Sequence, residues 1–350
     1  MKKPSIIRIA AAAAGALLIV AGCAVRLDPE EEAGGKAIGF SAGSPLLRDD
    51  VTKGTIIEST SFPDGSQLHV WAWHSAASQH LTFGGTTKVH LSGGVWDYAP
   101  HQFWNWKTGD DYYDFLAVYP GNRNITHQAA SVAQPQLNAT VNYDALTDQY
   151  DLMGAGLRRT EKLTTTVPLE FRHLLSAVSL TVKNSSSSVD ALGNPKTITF
   201  KSCRFVNLVT GAPVTISFDG NALASQNGIV TRSASAALGL MASASLTPGS
   251  SYPASTSWDI MLPQDLRTES IGNPPPYLEI VYNDGTQDVT MPPVYLKDIK
   301  DSFTKEEITS WEAGRRYKYE IEIKLGGGIL VIVSTTPWEV VEAETPGLMI

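Results

Sequence analysis

Residues 317–325 read Tyr-Lys-Tyr-Glu-Ile-Glu-Ile-Lys-Leu. Tyr317, Tyr319, Ile321, Ile323 and Leu325 alternate with Lys318, Glu320, Glu322 and Lys324. A period of two sends all five apolar side chains to one face of a strand. Shorter runs rich in β-branched and aromatic residues recur at 67–73, 113–119, 176–182, 212–218, 258–262 and 277–282. Turn signals separate them, drawn from 29 Gly and 20 Pro along the chain. Many short strands at such spacing predict antiparallel β-sandwiches. Helical signal is thin and predicts only short helices, near 144–154 and at 304–311. Thr304 with Glu307 three residues on gives the second a capping box.

The first residues follow a different pattern. Lys2, Lys3 and Arg8 precede an uncharged, mostly apolar run at 9–21, which closes on Ile19-Val20-Ala21-Gly22-Cys23. The run is short for a transmembrane span of about 20 residues. Small residues directly before a cysteine are similar to a bacterial lipobox, in which Cys23 is acylated and becomes the mature N-terminus. The alternative is an ordinary secretory signal with a chance cysteine. Residues 1–22 are therefore set aside as a signal peptide, and 23–35, with Asp28-Pro29-Glu30-Glu31-Glu32, read as an acidic tether. The remainder divides near 163–168. An N-terminal sandwich is expected over 36–166, with six of the seven histidines, and a C-terminal sandwich over 167–350. Asn184 to Ser188 reads as a flexible turn and Asn273 to Pro276 as a stiff linker.

Composition narrows the function. Apolar residues make up 43% and charged residues 18%, so the chain is neither disordered nor a polytopic membrane protein. Two cysteines cannot build a disulfide framework or a four-cysteine zinc site. Without Lys2, Lys3 and Arg8, the 27 basic residues fall to 24 against 35 acidic ones. An acidic chain with no basic block is poorly suited to nucleic acid, whose phosphates dominate such affinity.

Catalytic motifs are missing. The sequence has no Gly-x-Ser-x-Gly elbow, no His-Glu-x-x-His and no phosphate-binding glycine loop. No cofactor or metal site is expected. His69 and His74, five apart in a strand-like run, point to opposite faces and make poor joint ligands. Asp110, Asp111 and Asp114 could serve glycoside hydrolysis beside a glutamate, but turn and edge chemistry accounts for them more simply. Cys203, inside a strand-like run, reads as a buried inert thiol.

Two features point towards binding. Trp71 and Trp73 share one strand face and suit a core, whereas Trp104 and Trp106 sit in a loop-like stretch and could stack on sugar rings. Near the C-terminus, Gly326 to Gly328 lead into Ile329, Leu330, Val331, Ile332 and Val333, then Pro337, Trp338 and Val340. Such a run is an aggregation hazard when left on an exposed edge. It is either the last strand of its own sheet or a strand given to another subunit. As a donor it is expected to lie loosely, or at a sheet edge beside the first strand, with both faces apolar. As a chain end it is expected to leave its fold at little cost.

In order along the chain, several stretches resemble the fimbrillin family of pilus subunits. They are the lipobox at Cys23, residues 36–42 followed by Arg48, Phe62 with 64–71, Trp104 ahead of 113–120, 151–155, 167–178, and 311–319 with the Pro337-Trp338 tail. The resemblance implies an all-β fold of two tandem transthyretin-like sandwiches. It implies export as an outer-membrane lipoprotein, held by lipid on Cys23 and exposed at the cell surface in a fimbria. It implies cleavage by an arginine-specific protease between Arg48 and Asp49, which removes the strand carrying Ile38 and Phe40. The slot left behind would take residues 329–341 of a neighbouring subunit in a head-to-tail polymer with other pilus subunits. A second acid, Asp50, follows Asp49, and a chain left uncleaved would act as an anchor or terminal subunit. Adhesion to a host or bacterial glycan or protein is the further partner implied. The rival expectation is a non-polymerising surface lipoprotein that binds glycans through Trp104 and Trp106.

Overall fold

The computed structural model describes residues 36–43, 61–76, 79–82, 88–128, 136–162, 164–228, 238–240, 242–267, 274–325 and 328–338. Among these, all regular structure is strand except one 3-10 turn, Leu296–Asp298. The two short helices expected from the sequence do not form. Residues 145–152 make a turn, held by Leu146 N–H donating to the Asp144 carboxylate and by Asp144 N–H donating to Asp148. In the second stretch the Asp301 carboxylate accepts from the N–H groups of Phe303 and Thr304, upstream of the expected cap. Ile308 N–H then donates to Ile299 O, as in a strand-like return. Short polar side chains offer the backbone partners that compete with helical ones.

The N-terminal half builds a nine-stranded sheet. Its order is Val167–Glu170, Phe40–Gly43, Val95–Asp97, Val89–Ser92, Gln67–His74, Tyr113–Tyr119, Met153–Arg159 and Arg172–His173, with Gln79–Thr82 beside Gln67–His74. The sheet closes on a core holding Ile38, Phe40, Leu68, Val70, Phe115 and Leu169. Trp71, Trp73, Leu116 and Val118 point the other way and join a second core. Every residue of Tyr113–Tyr119 is buried, as a strand covered on both faces requires.

The cover for that second face is a four-stranded sheet, Leu223–Asn227, Gly211–Phe218, Leu137–Asp144 and Ile125–Gln128. Two glycines let it approach. A Cβ on Gly156 would lie 2.3 Å from Phe218 Cδ2, and one on Gly154 would lie 3.4 Å from both Ile216 Cγ2 and Leu223 Cδ2. The boundary expected between 166 and 167 is therefore crossed twice. Val167–Glu170 pairs with Phe40–Gly43, and Gly211–Phe218 pairs along its whole length with Leu137–Asp144.

The C-terminal half forms two larger sheets and a two-stranded one, Gln264–Asp265 with Ser310–Trp311. One runs Ser251–Tyr252, Ser176–Asn184, Arg315–Lys324, Gly328–Pro337, with Asp259–Met261 beside Ser176–Asn184. The other centres on Ile198–Val206 and Tyr277–Asn283. Between them pack Leu180, Phe200, Cys203, Phe205, Tyr319 and Ile321. Among the described residues, each half contains one parallel strand pair within otherwise antiparallel ladders: Phe40–Gly43 with Val167–Glu170, and Ser176–Asn184 with Arg315–Lys324.

Candidate functional site

The first strand, Phe40–Gly43, lies between two neighbours rather than at an edge. Val167–Glu170 pairs with it in parallel over four residues, and Phe40 faces Trp96 on the other side. Ahead of the strand, Ile38 N–H donates to Gln102 O at 2.8 Å, and Val167 N–H donates to Gly39 O at 2.9 Å. Ile38 is fully buried and Phe40 is 5% exposed, while Ser41 and Gly43 face out. The Phe40 ring meets Phe115 edge-on at 6.0 Å and Tyr98 at 5.7 Å. Tyr98 donates its hydroxyl proton to Ile38 O at 2.8 Å, and burial raises its pKa well above the ordinary value. Removing this segment would leave a slot with backbone partners on both sides and an aromatic floor.

The last strand, Gly328–Pro337, pairs antiparallel with Arg315–Lys324 over all ten residues. It forms the edge of its sheet, but in the C-terminal half and not beside the first strand. Val333 is fully buried, with Ile329 and Val331 packed partly against the core. Leu330 is 55% and Ile332 36% exposed, so one face is covered and the other is open. Of the two apolar faces expected, that of Ile329, Val331 and Val333 meets the core, and no layer covers that of Leu330 and Ile332 among the described residues. The edge is partly guarded: Ser302 N–H donates to Val333 O at 2.7 Å, and Thr335 N–H donates to the Asp301 carboxylate at 2.9 Å. Nor is the strand held weakly. A ten-residue ladder, buried Val333 and fully buried Trp338 must all be given up on release.

Trp338 sits where the two halves meet. Its ring stacks on His173 at 4.3 Å and 6°, and its backbone N–H donates to Gly314 O. His173 Nδ1 is 2.9 Å from Asp151 Oδ1, with both side chains fully buried. His173 belongs to Arg172–His173, which pairs with Met153–Arg159 of the N-terminal sheet. The sequence marks Trp338 as part of the C-terminal segment, but nothing in it pairs Trp338 with a histidine 165 positions away; only the tertiary fold does.

Other expected residues separate. Cys23, Arg48, Asp49 and Val340 lie outside the described residues. Trp104 is only 6% exposed, stacked on Trp106 at 5.6 Å and packed edge-on against Tyr113. Its remaining environment includes Arg159, 5.6 Å from the ring. A ring so enclosed offers no open face to a sugar, which corrects the glycan-contact expectation for Trp104; Trp106 is half-buried against the same core. Asp114 is fully buried in a bidentate pair with Arg158, both contacts at 2.7 Å. Asp111 accepts from Thr108 Oγ1 and from the N–H groups of Lys107 and Thr108. These are structural pairings and turn caps. No cluster of three metal-ligating side chains occurs among the described residues. Cys203 is buried, which pushes its thiol pKa up.

These features define a class: an all-β protein of packed sandwiches with an enclosed first strand and an edge-exposed last strand. The chain belongs to the fimbrillin-like family, whose model matches residues 52–338. In fold it is similar to a candidate cell adhesion protein from Parabacteroides distasonis, with TM-score 0.51 and 10% identity, covering 88% of this chain and 98% of that one. A candidate cell adhesion protein from Bacteroides uniformis gives 0.47 and 16%, covering 86% and 98%. A fimbrilin from Porphyromonas gingivalis gives 0.40 and 11%, covering 86% and 98%. No curated protein matches the chain.

Proposed function

We propose that this chain is a structural or adhesive subunit of a cell-surface pilus, without enzymatic activity, joined to its neighbours by strand exchange. Export through residues 1–22 and acylation of Cys23 bring it to the outer membrane. An arginine-specific protease cuts after Arg48 and frees the segment with Ile38 and Phe40. Residues 329–341 of the next subunit fill the slot, and a head-to-tail polymer grows. The observation that carries this reading is the placement of the first strand. It is short, near the chain start, apolar on its inner side and bounded by a strand on each flank. Its loss vacates a place only another strand can fill. Family membership and the edge position of the last strand agree with it.

The test is direct. Purified precursor is incubated with an arginine-specific protease and run unboiled on a gel. Ladders, together with a new N-terminus at Asp49 by mass spectrometry, are the expected result. Cleavage after Arg48 without ladders, in a chain that keeps residues 329–350, refutes strand exchange. A mature chain that keeps Cys23 and never ladders marks an anchor or a non-polymerising lipoprotein.

A further inference from the structure

We infer that residues 167–173 couple the slot of the first strand to the hold on the last strand, so that a subunit releases its C-terminal strand readily only after losing its N-terminal one. This rests on the strand-exchange reading and adds a control to it. Val167–Glu170 ends its sheet, and Phe40–Gly43 is its one ladder partner among the described residues. Phe171 continues that dependence: its N–H donates to Gly43 O at 3.3 Å, and its ring packs on Phe62 at 5.2 Å. Two residues later the chain reaches His173, on which Trp338 stacks.

With the first strand in place, this segment is pinned at one end by Phe40–Gly43 and at the other by the pairing of Arg172–His173 with Met153–Arg159 and by Asp151. His173 then presents a fixed ring to Trp338. Excision of the first strand removes the one ladder that holds 167–170 among the described residues. Only Phe171 and Arg172 separate this ladder from His173, so loosening at one end bears on the pairing of His173 with Met153 at the other. What is then loosened is the His173 stack on the end of the last strand, which keeps its ladder to Arg315–Lys324 and the bond from the Trp338 backbone N–H to Gly314 O. The consequence suits assembly. An unprocessed subunit has a filled slot and gains nothing by presenting Ile329, Val331 and Val333 to solvent, where they would invite disordered association.

Coupling is reciprocal, which gives two arms to the test. Amide hydrogen exchange is followed by mass spectrometry in the full chain. Phe40→Ala should raise exchange across 329–337 by about tenfold, a usual size for coupling between sites. Trp338→Leu should raise exchange across 39–43 and 167–171. Ile198–Val206 and Tyr277–Asn283 should be unchanged in both. Where Phe40→Ala does not fold, Ile38→Val on the same face serves, with a rise of about threefold from the smaller truncation. The inference is overturned if 167–171 loosens while 329–337 does not. It is equally overturned if all strands loosen together, since that is general destabilisation. Exchange needs no polymer: ladders with uncoupled exchange would sink the control and spare strand donation, and coupled exchange without ladders would do the reverse.

Discussion

Phe40→Ala probes the slot in isolation. The ring is 5% exposed and touches two aromatic neighbours, Tyr98 and Phe115. Truncating a buried Phe to Ala costs about 3–5 kcal/mol, from lost transfer energy and the cavity left behind. The upper part of that range applies here, because the floor rings are anchored in Tyr113–Tyr119 and just beyond Val95–Asp97 and cannot collapse into the gap. Tyr98 is held by its bonds to Ile38 O and Gln102 O, and Phe115 lies within a fully buried strand. Against a typical domain stability of about 5–15 kcal/mol, this is a large fraction. Urea unfolding followed by tryptophan fluorescence should show the midpoint of the N-terminal half falling by about 1–2 M. Ser41→Ala, one residue on and facing solvent, is the internal control and should change stability by less than about 0.5 kcal/mol. Equal effects from the two substitutions would mean the first strand does not fill a core, and the slot would lose its basis.

Gly156→Ala should destabilise by about 1–3 kcal/mol in the same assay, because the new methyl meets Phe218 at 2.3 Å across the two packed sheets; an unchanged midpoint would contradict that layer contact. Within the last strand, Val333→Ser should cost several times more than Leu330→Ser, since the first side chain is fully buried and the second 55% exposed; equal costs by urea unfolding would show a different docking of the strand. Burial, with a smaller contribution from Lys88, lowers the His69 pKa from 6.5 to about 4. The unfolded chain binds that proton below pH 6.5 and the folded chain only near 4, so stability should fall as pH drops through this window, by no more than about 3.5 kcal/mol. His69→Leu should flatten that acid limb in urea midpoints measured against pH; an unaltered limb would assign it elsewhere.

How far the sequence reveals this fold depends on which interaction fixes each part. Alternation over Tyr317 to Ile323 is local, and all four apolar residues are buried as the period demands. Ile38 and Phe40 behave likewise. The parallel pairings are invisible, because nothing in 40–43 or 176–184 names a partner over a hundred residues away. The third layer is hidden for another reason: its mark on the N-terminal sheet is the absence of side chains at Gly154 and Gly156, which periodicity cannot register. The expected helix at 304–311 fails because Asp301, just upstream of Thr304, captures the backbone donors first. The enclosure of Trp104 comes from Tyr113 and Arg159, distant residues that loop composition does not predict. Family order along the chain carries the expectation for the two end strands, while the junction at His173 and Trp338 exists only in three dimensions.

The central claim is that the last strand of one subunit occupies the place of the first strand in another. It is tested by paired cysteines on separate chains. One chain carries Leu169→Cys, on the strand whose register partner at that point is Ala42. The other carries a cysteine at Ile329, Val331 or Val333. The native Cys203 is buried and does not interfere. After processing at Arg48, mixing and mild oxidation, one of the three donor positions should give a disulfide between the two chains, and none should do so before processing. Disulfides that form equally without processing, or their absence at every donor position in chains that do polymerise, would contradict the account.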